Sequence, residues 1–265
     1  MEDDPARFNP RNRPLTREAA DGLLRAYYAE HRGILPGELE HFQRALVHRS
    51  YASPGAARLN RQAPPDCMRV LARSNERDEW MGDAVIHMVV TSYLLERFED
   101  QNEGFLTQMR TKIENGETLA GFARQLGLGP WLVLSREVED AGGRDGKAPL
   151  EDAFEAWMAA VYHTQGYDVA RAWLVRFMET HVDFAATIVR QKDFKDMFCK
   201  YVHASQKGGR AVFQEMSAQD AGPFPFRVSV ADASGSGVVA TGRGATLKDA
   251  ENDAARAALK YYGRL

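Results

Sequence analysis

The sequence predicts an all-α domain followed by a small α+β domain, and two patterns along its 265 residues carry that expectation. Between about residues 16 and 180, apolar side chains recur three and four apart, the spacing that lines one face of a helix, with no strand pattern of any weight among them. Beyond residue 190 the character changes: "AVFQEMSA", "PFRVSVA" and "GVVATGRG" are β-compatible runs separated by "QDAGPF" and "DASGSG", which are turn chemistry. At 44% apolar residues, a chain of this length can bury a sizeable core in one large domain or two unequal ones.

The elements follow in order. "EDDPARFNPRNRP" is polar and proline-rich and predicts a flexible N-terminal arm over residues 1–15. From Thr16, Ala20, Leu23, Leu24 and Tyr27 share one face of a helix; "PGELEHFQRALVHRS" predicts a second through Phe42, Leu46 and Val47. "ASPGAARLNRQAPPD" then reads as a loop. Trp80, Met81, Ala84, Val85, Met88, Val89 and Leu95 run through a long apolar helix from about Asn75 to Arg97. Further helices are expected at 105–127, 149–165 and 168–180, with "EDAGGRDGKAP" as the glycine-rich interruption. In the tail, "DFKDMFCKYVHA" and "TLKDAENDAARAALKYY" are helical, the second with Thr246 as N-cap. Helix, three antiparallel strands and helix make a complete small domain. The domains are expected at 16–187 and 193–263.

Composition narrows the function classes. The first twenty residues are charged and lack an apolar core, and no later segment approaches the roughly eighteen apolar residues of a membrane span, so no membrane partner is expected. Cys67 and Cys199, far apart, give neither a disulfide framework nor a metal knuckle, which fits a reducing intracellular setting such as the cytoplasm. The net charge of −3 hides an asymmetry: from Asp193 onward 10 Lys and Arg face 8 Asp and Glu, so the tail is mildly basic and the body acidic. No zinc motif, phosphate-binding loop or serine-hydrolase elbow is present.

The chemistry-bearing feature is "NERDEWMGDAV". Glu79 and Asp83 stand four apart, on one face of a helix, where like charges repel. Asp152 and Glu155 in "LEDAFEAWMAAVY" repeat the arrangement at a spacing of three, on a helix whose other face holds Phe154, Met158, Val161 and Tyr162. Two such pairs are either solvated faces of amphipathic helices or four carboxylates converging on divalent cations. All-oxygen ligation of that kind suits Mg²⁺ or Mn²⁺.

"NERDEWMGDAVI" resembles the signature of the ribonuclease III family, endonucleases specific for double-stranded RNA. "RALVHRSY", "NEGFLTQMRTKIENGETLA" and "LEDAFEAWMAAVY" resemble further family motifs in the same order, and residues 193–262 resemble a double-stranded RNA-binding domain. The resemblance covers nearly everything from about residue 38 to 262 and implies a ribonuclease III fold. Position by position, it implies metal ligation by Glu79, Asp83, Asp152 and Glu155, with Asp83 and Glu155 catalytic, and auxiliary acidic roles for Glu76 and Glu103. Trp80 falls at the aromatic position that enters a socket on a second subunit; a plain core tryptophan is the alternative. His48, Arg49 and Ser50 read as structural, and Asn75 and Arg77 as organisers of the helix start and dimer contacts. The implied activity is Mg²⁺-dependent hydrolysis of double-stranded RNA by a homodimer, leaving 5′-phosphate and 3′-hydroxyl ends with short 3′ overhangs. The alternative is a catalytically silent relative that binds RNA, as a ribosomal component or by sequestering duplexes.

The tail departs from the family pattern. "TLKDAE" supplies Lys248 where adjacent lysines are usual, "GPFPF" lacks a histidine, and Cys199 and Lys200 replace groups that often face the minor groove. Lys207, Arg210, Arg243 and Lys248 are the candidate phosphate contacts, with a solvated-surface role as the alternative for each. Phe226, Val228, Val230, Gly242, Gly244, Ala250, Ala254, Ala255 and Leu259 retain the fold signals.

Overall fold

The structure is a computed structural model that describes residues 7–185, 187, 194–205, 208–216, 224–232 and 237–265. The chain divides into two compact units, Met1–Phe184 and Ala185–Leu265. The first is helical: α1 (Arg17–Arg25), α2 (Leu39–Ala45), the single turn α3 (Ala56–Leu59), α4 (Glu76–Arg97), α5 (Glu103–Ile113), α6 (Gly116–Leu126), α7 (Arg136–Asp140), α8 (Lys147–Gln165) and α9 (Tyr167–His181). No helix among the described residues is long and apolar enough to cross a membrane.

The centre of this unit is α8. Eleven of its nineteen residues are buried, so it is hydrophobic nearly all round, as a helix enclosed by others must be. It packs most extensively on α4, and also on α6, α2 and α9. Around it, Phe42, Phe154, Trp157, Trp173 and Phe177 are fully buried, with Trp173 stacked on Phe177 at 5.3 Å and Phe42 against Trp157 at 4.9 Å. Each such side chain contributes on the order of 1.5–3 kcal/mol over its exposed state.

Three expectations change in this unit. The helix expected at 105–127 is two helices, because Asn115 closes one and opens the next: its Nδ2 donates to the Lys112 carbonyl (2.6 Å) while its Oδ1 accepts from the Thr118 amide (3.1 Å). The second helix is short, since Val47 leaves it to bridge Val133, and the chain resumes as a 3-10 turn over Arg49–Tyr51. The described part of the expected arm is docked: Phe8, Asn9, Asn12 and Leu15 are all buried. Asn12 clamps Leu134 from both sides, accepting from its amide (3.1 Å) and donating to its carbonyl (2.9 Å). Asn9 donates to the same carbonyl and to Glu139 (both 3.1 Å). Polar composition suggested mobility, but here the polar groups are paired with backbone.

The second unit has the expected order: α10 (Phe194–Ser205), β1 (Val212–Met216), β2 (Phe226–Ala231), β3 (Val238–Gly244) and α11 (Leu247–Tyr261). The sheet is antiparallel in the order β1-β2-β3, with Val228 opposite Glu215 on one side and Gly242 on the other. Its core joins Phe194, Phe198 and Val202 to Val228 and Val230 and to Ala250, Ala254, Ala255, Ala258 and Leu259. Thr246 caps α11 as expected, accepting from the Asp249 amide at 3.2 Å. A Cβ at Gly242 would lie 2.1 Å from the Ala254 nitrogen, so only glycine lets α11 lie this close to β3.

Candidate metal centre

The signature stretch opens α4, and consecutive positions there turn by about 100°, which sends neighbouring acids to different partners. Asn75 is buried at the helix start, where its amide donates to the Val47 carbonyl (2.8 Å) and its side chain to that of Ala45 (3.2 Å). This fixes the first turn against the end of α2. Asp78 turns to Arg44 in a two-pronged ion pair at 2.5 and 2.9 Å. Glu79 instead faces α8. Gly82 makes that approach possible: a Cβ there would sit 1.7 Å from the Glu155 carbonyl oxygen.

Where the helices cross, carboxylate oxygens of Glu79, Asp152 and Glu155 lie within 4.8 Å of one another. Glu155 is only 8% exposed. Burial first, and then the negative charges of Asp83, Glu151, Glu79 and Asp152, push its carboxyl up to about 8. Burial and neighbouring acids raise Glu79 and Asp152 as well, with the Arg49 guanidinium pulling weakly the other way on both. Among the described residues, none of the ion pairs engages Glu79, Asp83, Asp152 or Glu155. Buried like charges without a cation must take up protons or bind one. An all-carboxylate donor set of this kind fits a hard divalent ion.

The remaining candidates are placed as follows. Asp83 lies outside the group of three, yet it is the largest single charge acting on Glu155. Glu76, the first residue of α4, is exposed and bonded to Ser74 (2.8 Å), and its charge reaches Glu79 and Asp152. Glu103 does not join the group; it opens α5 and accepts from Thr107 Oγ1 at 3.2 Å. Trp80 is 79% exposed, which excludes the core alternative. Arg210, Arg243 and Lys248 are exposed on the second unit, and Lys207 lies outside the described residues.

Two acids escaped the sequence reading. Glu151 acts on Glu79, Asp152 and Glu155, and its only signal was its place in the run Glu151-Asp152-x-x-Glu155. Glu114 is bonded to His87 (3.0 Å), has a buried Oε1 without a partner, and feels Asp83; no periodicity marked it.

The chain matches a family model described as ribonuclease-III-like over residues 39–181. It is 31% identical over 230 residues to a ribonuclease 3 of Chlorobium chlorochromatii, covering 86% of each chain. It is 34% identical over 192 residues to ribonuclease 3 of Staphylococcus aureus, 72% of this chain and 77% of that one. A probable ribonuclease 3 of Acanthamoeba polyphaga mimivirus is 28% identical over 96% of this chain, which spans 47% of that relative's length. Among solved structures, the nuclease domain of ribonuclease III from Campylobacter jejuni superposes with a TM-score of 0.50 at 26% identity, over 62% of this chain and 97% of that one. With a family model matching more than half of its length and a carboxylate cluster at the crossing of α4 and α8, the chain belongs to the ribonuclease III family, and its first unit is a ribonuclease domain.

Proposed function

We propose that this chain is an endoribonuclease that hydrolyses phosphodiester bonds in double-stranded RNA as a homodimer, using Mg²⁺ or Mn²⁺ and leaving 5′-phosphate and 3′-hydroxyl ends with short 3′ overhangs. The observation that carries this reading is the meeting of Glu79, Asp152 and Glu155 oxygens within 4.8 Å, on two packed helices, with no ion-pair partner. Glu79, Asp83, Asp152 and Glu155 hold the metal. When bound, divalent ions activate a water and stabilise the negative charge that builds on the phosphate and the departing oxygen. The protein's part is positional. Gly82 lets the two helices approach, and the buried α8 holds Asp152 and Glu155 on a rigid element. Asp83 and Glu155 are the catalytic pair. Glu76 and Glu103 are auxiliary acids.

The exposed Trp80 supports the homodimer, since an indole 79% exposed on a rigid helix is suited to burial by a second copy. The solved Campylobacter jejuni protein is described by flexibility in a region involved in its own dimer formation. We assign the nuclease domain to residues 16–187, with the docked residues 7–15 packed on it, and the RNA-binding domain to 193–263, where Lys207, Arg210, Arg243 and Lys248 meet phosphates.

Incubating a long RNA duplex with the full chain, with and without Mg²⁺, beside a Glu155→Gln variant, tests the reading. Fragments are expected from the wild type with Mg²⁺ alone. Identical behaviour of wild type and variant overturns it, and binding without cleavage by either assigns the chain to the silent relatives.

A further inference from the structure

His87 stands one turn beyond Asp83 on the exposed side of α4, and its Nδ1 lies 3.0 Å from Glu114 Oε2 at the end of α5. Two close approaches set this pair next to the carboxylate cluster. Gly82, beside Asp83, leaves no room for a Cβ against the Glu155 carbonyl, and Gly116, two residues after Glu114, leaves none against the Glu151 carboxylate. The segments that carry His87 and Glu114 are thus both pinned to the turn of α8 between Glu151 and Glu155.

As a tie between α4 and α5 the pair is badly made. Glu114 is the C-cap of α5, so its negative charge meets the negative end of the helix dipole. Its Oε1 is buried without a partner, and Arg110 Nε stands 3.9 Å from Oε2. An uncharged residue at this cap would cost the fold less. The imidazole, by contrast, is 52% exposed, and its Nε2 has no hydrogen bond or ion pair among the described residues. Glu114 therefore fixes the ring and leaves Nε2 free. A buried carboxyl group at a helix C-terminus holds a proton within the pair. Whether that proton sits on Glu114 Oε2 or on His87 Nδ1, Nε2 carries its own hydrogen and is a donor.

We propose that His87 Nε2–H donates to a phosphate oxygen of the RNA strand lying at the carboxylate cluster, with Glu114 as the residue that positions it. One helical turn carries His87 about 6 Å beyond Asp83 along the axis of α4, so the phosphate it meets is one beside the scissile group. Where the strand lies rests on the endonuclease reading.

The test pairs protein variants with RNA duplexes in which a single phosphate, moved along one strand, is replaced by an uncharged methylphosphonate. Full-length wild type, His87→Ala, His87→Asn, His87→Gln and Glu114→Gln are compared in single-turnover cleavage with Mg²⁺ and in binding in EDTA. His87→Ala is expected to slow cleavage about ten- to a hundredfold; at one phosphate the replacement slows the wild type by a similar factor and His87→Ala no further. His87→Gln, whose amide nitrogen stands near the Nε2 position, should recover part of the rate. His87→Asn, which reproduces only Nδ1 and its bond to Glu114, should not. Glu114→Gln should lose less than His87→Ala and add nothing to it in the double variant. Losses that multiply at every phosphate overturn the proposal, as does better recovery by asparagine than by glutamine, which would mark the pair as a tie between helices. A wild type that binds but cuts nothing defeats the endonuclease reading alone, because the same comparison of affinities still decides the contact, and a wild type that does neither overturns both.

Discussion

Gly82 on α4 faces the Glu155 carbonyl on α8 so closely that a single added carbon would lie 1.7 Å from that oxygen. The clash is with backbone, so no rotamer change relieves it. Gly82→Ala therefore forces the helices apart, with an expected loss of at least about 3 kcal/mol in denaturant unfolding and the disappearance of cleavage. Gly22→Ala, in α1 with nothing within 4 Å, is the contrast and should stabilise by about 0.5 kcal/mol or more. Equal stability of the two variants would mean that the close crossing is not required.

Protonation of the cluster sets a pH dependence. Glu155 ordinarily titrates at 4.5 and is pushed up to about 8 in the fold. Between those values the folded chain keeps a proton that the unfolded chain has lost, so raising the pH favours unfolding throughout the window and has no further effect above it. Glu79 and Asp152, also raised, act in the same direction. Glu139, held below its usual range by Arg144, acts oppositely and in more acidic solution, so wild type must be compared with Glu155→Gln. In EDTA the wild type should lose stability between about pH 5 and pH 8 relative to the variant, and Mg²⁺ should reduce that loss. Parallel urea midpoints for the two proteins across this range would contradict the burial of an uncompensated Glu155.

The N-terminal segment is part of the nuclease unit. Asn12 satisfies both the amide and the carbonyl of buried Leu134. Asn12→Ala leaves the amide unpaired and the carbonyl to Asn9 alone, and should cost about 1–3 kcal/mol, whereas Arg13→Ala, at an exposed position, should cost less than about 0.5 kcal/mol. Thermal unfolding of the two variants checks this, and a neutral Asn12→Ala would return the segment to the status of an arm.

On the second unit, Lys248 is exposed in the first turn of α11, where its charge adds to the helix N-terminus. Lys248→Ala should weaken duplex binding and lower the slope of log affinity against log salt by about one. An unchanged slope would remove this lysine from the phosphate contacts.

The helical body, the α-β-β-β-α order of the tail and the Thr246 cap were legible because each rests on local periodicity or on one capping side chain. The break at Asn115 was hidden, since an asparagine between two apolar-periodic stretches reads equally as a solvated helix position. Docking of residues 7–15 depends on pairing with Leu134 and Glu139, more than a hundred residues away, and no local pattern encodes it. The convergence of Glu79 with Asp152 and Glu155 left its mark in spacing and motif, whereas Glu151 and Glu114 reach the site only through the packing of α4 and α5 with α6 and α8. Trp80 shows the limit of periodicity most plainly: an indole on an apolar helix suggests core, and the structure exposes it.

The account stands on carboxylates that are brought together to bind divalent ions, and calorimetric titration of the RNA-free chain with Mn²⁺, the tighter-binding surrogate for Mg²⁺, reads this directly. Saturable uptake by the wild type that is lost in Glu155→Gln is the predicted result. No saturable uptake by the wild type, or the same uptake by both, would contradict it.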